Sequence, residues 1–223
     1  MGNMFRFTKI LLGATLLLLW LFMLGCEPRT THFSSGSDGT PTDSTPPPPP
    51  PITYINEAWT AYNSGDFSQT ATVLSDLRYT HFTIYQNYAP YWNISGWLEA
   101  STHNLTDANE DFTEAVELDS TYLDAFVGLA AVELSQGLYA DCITSATTAL
   151  SLNTTYDPGH DDLTLAHVQL LLAQAYVYNA ELASALTQIQ LFDPSFTVDL
   201  NHPEAAADLL TKIANIYDTT ISP

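Results

Sequence analysis

The chain has 223 residues, with 25 Asp and Glu against 5 Lys and Arg, a formal charge of −20 with its six histidines neutral. So acidic a surface repels phosphate, which excludes nucleic-acid binding and adhesion to anionic membranes through basic patches. Yet 46% of the residues are apolar and 12% aromatic, too many for charge-driven disorder and enough to build the core of one folded domain.

Residues 1–9 carry Arg6 and Lys9 and no acid, and Ile10 to Leu24 is almost wholly apolar. About 15 apolar residues are too few for a bilayer span, which wants roughly 20, and a positive start before such a run has the shape of a secretory signal. The sequence Met23-Leu24-Gly25-Cys26 then resembles the bacterial lipoprotein signal, in which a small residue precedes a lipidated cysteine that becomes the new N-terminus. That resemblance implies cleavage after Gly25, a signal peptide of residues 1–25, and a membrane anchor of palmitate-type acyl chains on Cys26. The other reading is an uncleaved N-terminal anchor. Glu27 stands where an Asp would signal retention at the inner membrane, so the analogy leans to the periplasmic side of the outer membrane. Loss of Arg6 and Lys9 leaves 3 basic against 25 acidic side chains, a charge near −22.

Residues 26–54 read as a linker. It is first rich in Thr, Ser, Gly and Asp, with too few apolar groups to pack. It then carries six prolines, Pro46 to Pro51, which favour an extended polyproline rod of roughly 19 Å at about 3.1 Å per residue.

Over residues 55–218 the chain repeats. Trp92-x-x-x-Gly96, Leu105, Ala108, Phe112, Ala115 and Leu118 recur at a constant offset of 34 as Phe126-x-x-x-Ala130, Tyr139, Cys142, Ala146, Ala149 and Leu152. Within each set the apolar positions fall every three or four residues, which predicts two amphipathic helices. Polar breaks at His103-Asn104 and Gln136-Gly137 separate them. No such pair buries its own apolar faces alone, so the units must stack.

This pattern resembles the tetratricopeptide repeat. Asn56 to Leu77 fits as a first unit, with Gly65-Asp66-Phe67 at the turn, and its offset of 38 to the second unit implies a connection four residues longer. A fourth unit runs from about Leu163 to Phe192, after a nine-residue insertion around Tyr156 to Asp162. Pro203 to Tyr217 reads as a terminal capping helix starting near Asn201 or His202, and residues 219–223 as a tail. The expected fold is all-α, a solenoid of about four tetratricopeptide hairpins plus a C-terminal capping helix. Ser120 and Thr154 stand where the repeat closes its second helix with proline.

The resemblance implies that the first helix of each hairpin lines a concave groove for a partner protein. Transferred by register, the groove residues are Trp59, Tyr62 and Asn63 in unit one and Asn93, Trp97 and Ser101 in unit two. Unit three supplies Asp124, Val127 and Ser135, and unit four Gln174 and Tyr178. Trp59 and Trp97 hold the same place in successive repeats. They stand either exposed as partner anchors or packed between neighbouring repeats. The groove set holds no Lys or Arg, so the basic clamp with which some family members grip acidic peptides is absent. A partner presenting basic or aromatic-plus-amide groups fits better.

Chemistry is scarce. Cys142 falls where the repeat wants a small buried residue and reads as core. No metal-binding His or Cys motif, nucleophile elbow or phosphate loop occurs, so no catalytic residues, metal or cofactor are expected. The one dense polar run, Asp157-Pro158-Gly159-His160-Asp161-Asp162, reads either as a turn whose aspartates cap the next helix or, less simply, as a metal loop. The expected function is a lipid-anchored adaptor of the bacterial envelope that binds a protein partner. The alternative is a small-ligand or glycan receptor stacking on the two tryptophans.

Overall fold

The computed structural model describes residues 47–152, 155–156, 158–161 and 163–221. The signal segment, Cys26 and most of the linker lie outside these residues, as do Asp157 and Asp162. Among the described residues all regular structure is helical, and no helix is long and apolar enough to cross a membrane.

Four antiparallel hairpins follow one another. They are α1 (Pro51–Ser64) with α2 (Phe67–Thr80), α4 (Ala89–Ser101) with α5 (Leu105–Leu118), α6 (Leu123–Gln136) with α7 (Tyr139–Leu152), and α8 (Leu165–Tyr178) with α9 (Leu182–Gln190). A short helix, α3 (Phe82–Tyr85), occupies the longer connection between the first two hairpins, and α10 (Ala205–Ile216) closes the array. The chain is thus an α-solenoid with a terminal helix. The first helices form a continuous inner layer, α1 packing on α4, α4 on α6, α6 on α8 and α8 on α10.

Helix ends differ in detail from the sequence reading. α1 begins at Pro51, four residues before the boundary expected at 55, because the last proline of the run suits the first helical turn, where its missing N–H costs nothing. Pro50 before it is still extended, at φ −57° and ψ 150°. The Asp66 side chain caps α2 by accepting from the Gln69 N–H at 2.9 Å. The closing helix starts at Ala205 rather than Pro203 and runs on as a π-helical turn, Tyr217–Ile221, past the expected helix end at Tyr217. α8 is not capped by a described aspartate of the preceding loop. The Thr164 N–H instead donates to His167 Nδ1 at 3.1 Å, tying the helix start to its third residue.

The burial pattern explains the sequence pattern. α5 buries only Ala108, Phe112 and Ala115, and turns Asp107, Glu110 and Glu117 to solvent. α6 is flanked on every side and buries Ala125 and the run Val127 to Leu134, as a helix apolar all round should. Phe112 is fully buried between the inner helices, edge-on to Trp97 with ring centroids 5.4 Å apart. Gly96 and Gly128 flank its ring so closely that a Cβ would stand 2.8 Å from it on one side and 2.3 Å on the other. Gly128→Ala is therefore expected to cost about 1–3 kcal/mol through overpacking, read as a lowered midpoint in urea unfolding. An unchanged midpoint would show that the ring moves aside freely. Cys142 is fully buried in the same cluster, and burial pushes its thiol far above the usual range.

Candidate functional site

The described part of the connection between α7 and α8 lies against the inner layer at His160. Gly159 and Asp161 both take left-handed backbone, φ 72° and 53°, and between them the chain turns His160 inward until the residue is 4% exposed. Glycine suits such a conformation, and aspartate tolerates it better than most side chains.

His160 lands among the residues expected to line the groove. Its ring lies parallel to Trp59, with centroids 4.3 Å apart and planes 10° apart. Trp97 and Tyr62 present edges to it at 4.8 Å and 6.0 Å. Its Nε2 is 3.1 Å and 3.0 Å from the two carboxylate oxygens of Asp124, and its Nδ1 is 3.3 Å from Asp161 Oδ2. Both ring nitrogens thus face carboxylates that only accept, so both carry protons and the ring is an imidazolium.

Asp124, in the first turn of α6, is the hub. Asn93 Nδ2 donates to it at 2.7 Å and Trp97 Nε1 at 3.2 Å, and the Tyr156 hydroxyl also donates to it. Burial opposes its ionisation, but the His160 charge and these hydrogen bonds outweigh burial and hold its pKa below the ordinary value. The positive end of the helix acts in the same direction. Burial likewise opposes protonation of His160, yet the charge and hydrogen bonds of Asp124, with those of Asp161, raise it to about 9. The Tyr62 hydroxyl donates to Asp161 Oδ2 at 2.9 Å, so Ser101 Oγ, 2.8 Å away, donates to the Tyr62 oxygen in turn. Asn63 Nδ2 donates to the Gly159 carbonyl at 3.1 Å.

The structure therefore brings Trp59, Tyr62, Asn63, Asn93, Trp97, Ser101 and Asp124 to one place, but as the walls of a filled site. Tyr62, Asn93, Trp97 and Val127 are buried. Of the two readings of Trp97, the structure has the packed one: the side chain lies between two repeats and against His160. Trp59, with no repeat before it, stays half-buried. Trp97→Ala would be a stability variant, costing about 3–5 kcal/mol, rather than a clean probe of binding.

The remaining expected groove residues lie elsewhere. Ser135 donates back to the Ala131 carbonyl within α6 at 2.8 Å. Tyr178 stacks on Tyr139, with centroids 5.1 Å apart, and Gln174 reaches its hydroxyl at 3.4 Å. Both line a separate apolar cleft of about 310 Å³ against α10, with Leu210, Ile213 and Tyr217.

Sequence reasoning singled out the 157–162 run but read it as a cap or a metal loop. Among the described residues no cluster suited to a metal ion occurs, and His160 and Asp161 are engaged with the groove. The signal lay in combining two observations: a histidine between aspartates on an insertion, and an aspartate, Asp124, on a groove face with no Lys or Arg to neutralise it.

No family model and no curated protein matches the chain. Its fold matches solved structures. YrrB, a tetratricopeptide repeat protein with an unusual peptide-binding site, superposes with a TM-score of 0.56 at 16% identity, over 77% of this chain and 88% of that one. MamA (from residue 41 onward) of Desulfovibrio magneticus RS-1 gives 0.54 at 16% identity, over 77% and 97%. A mutant O-GlcNAc transferase of Thermobaculum terrenum gives 0.51 at 21% identity, over 66% of this chain. The match spans 27% of the length of that enzyme. At these identities the likeness concerns the fold, which is that of tetratricopeptide-type helical repeats.

Proposed function

We propose that the chain is a protein-binding adaptor of the bacterial cell envelope, held to a membrane by lipid on Cys26, with the repeats presented to a partner on the periplasmic side of the outer membrane. One observation carries the reading: a tetratricopeptide-type array stands directly behind a Pro-rich spacer that begins at a lipoprotein-like Met23-Leu24-Gly25-Cys26. Solenoids of this kind offer extended surfaces rather than enclosed reaction chambers. The peptide-binding site named for YrrB supports the same use of the fold. A glycan receptor stacking on Trp59 and Trp97 has less support, because His160 already covers the face of Trp59 and Trp97 is buried.

Cys26→Ser is expected to move the protein from the membrane fraction to the soluble one. In-cell cross-linking of the wild type is expected to recover one recurring envelope protein. Continued sedimentation of the serine variant with membranes would rule out the lipid anchor, and cross-links that recur with no protein would rule out the adaptor.

A further inference from the structure

The His160 site has the composition of a receptor for a planar cation, and its main parts belong to the solenoid rather than to the loop that fills it. The Asp124 carboxylate is positioned by Asn93 and Trp97 of α4 and by the start of α6, and the stacking face is Trp59 of α1. Tyr156 and His160 contact the same carboxylate, but the helices supply the carboxylate, two of its donors and the stacking face. We propose that this site recognises an arginine side chain in an extended segment of the partner protein, and that His160 is an intramolecular occupant which the arginine displaces. The identity of arginine rests on the adaptor reading only for its source; the chemistry of the site is argued from its own geometry.

Three observations lead there. The imidazolium contacts both Asp124 oxygens while lying 10° from the plane of Trp59. A guanidinium meets both demands better, since it is flat, always charged, bidentate towards carboxylate and stacks on aromatic faces, whereas a lysine ammonium offers no plane. Asp124 is also reachable. Its side chain keeps 16% exposure, and a cleft of about 350 Å³ lined by Trp59, Tyr122, Leu123, Asp124, Tyr156 and Pro158 opens beside it. Finally, the charge is complementary. In a chain of charge −20, the only lysine or arginine among the described residues are Arg78, beside Tyr91, and Lys212, paired with Asp193 at 2.7 Å. No arginine of the repeats competes for Asp124, and the surrounding field draws a basic segment in.

The test uses the whole chain carrying His160→Gly, with the tripeptides acetyl-Gly-Arg-Gly-amide and its citrulline counterpart, which has the same shape without the charge. Binding is followed by tryptophan fluorescence and melting temperature. The arginine peptide is expected to bind the glycine variant saturably and to raise its melting temperature. It should bind the wild type at least about tenfold more weakly, because the tethered His160 competes at a millimolar-scale effective concentration. Adding Asp124→Asn should abolish the effect. If His160→Gly loses its helical circular dichroism, His160→Gln takes its place, and the wild type is titrated in parallel. Equal binding of citrulline and arginine would overturn the proposal. So would an absence of saturable arginine binding to both the wild type and whichever variant stays helical, which would make His160 only the anchor of its loop. Such a failure leaves the cross-linking test untouched, and an empty cross-linking result leaves the peptide titration to stand.

Discussion

Asp124→Ala is expected to lower the stability of the repeat array by about 3–5 kcal/mol, the cost of breaking a buried ion pair from one side. Four donors converge on this carboxylate, from Asn93, Trp97, Tyr156 and His160, and alanine removes the acceptor they share. The imidazolium dominates, because a cation at 4% exposure must then lose its proton or drag its loop into water. His160→Gln should cost less than Asp124→Ala, since an amide remains able to donate to Asp124. Combining the two should recover part of the loss, so a double-mutant cycle in urea unfolding should give a coupling of at least about 1 kcal/mol. A cost below about 1 kcal/mol for Asp124→Ala would mean that the loop is bound too weakly to matter.

That hub also marks where the sequence stops being readable. The 34-residue offset exposes the helices and their stacking because each repeat touches only its neighbours, and such contacts are written as periodic apolar positions. The tie between Tyr62 and Asp161 spans 99 residues and leaves no periodic trace. Register alone also treats Trp59 and Trp97 as equivalents. They differ because one belongs to the first described repeat and is half-buried, and the other lies between two repeats and is buried. Gly128 escaped for a related reason: it stands 32 residues after Gly96 rather than 34, yet both flank the Phe112 ring, because one ring bridges two successive inner helices. Burial of Asn93 was hidden in the same way, its role being to hold a carboxylate 31 residues away.

The second large effect concerns pH, and three groups act with the same sign. His160 is raised from 6.5 to about 9 by Asp124 and Asp161 against the opposing effect of burial. Tyr62 and the indoles of Trp59 and Trp97 also face its ring; the indoles carry no charge, and Tyr156 on Asp124 is raised well above its ordinary value chiefly by burial. The stability His160 contributes is fully present below about 6.5 and is lost as pH rises through about 9. At about 1.36 kcal/mol per pH unit of displacement, the loss is on the order of 3 kcal/mol. It counts once for the pair, since the lowered Asp124 reflects the same attraction. Glu133 is raised from 4.5 to about 7, chiefly by burial, and Asp111 from 3.8 to about 6, by burial and then by Glu99, Asp107 and Glu110 against a hydrogen bond from Ser95. Both fold best protonated, so their contributions are complete below the ordinary carboxylate range and fade as pH climbs to about 6 and 7. Self-repulsion in a chain of charge −20 deepens with pH as well. Asp124, held below its ordinary value, works the other way and weakens the fold only towards strong acid. Thermal unfolding should therefore show a maximum at about pH 4, where these contributions are still complete, and a fall of several kcal/mol by about pH 9.5. In His160→Gln the decline between about 6.5 and 9 should flatten, while the earlier decline persists, to be reduced but not removed by Glu133→Gln, since Asp111 shares it. A wild-type profile level from pH 6 to 9.5 would mean that His160 sits neutral in its groove, and the ion pair with Asp124 would have to be abandoned.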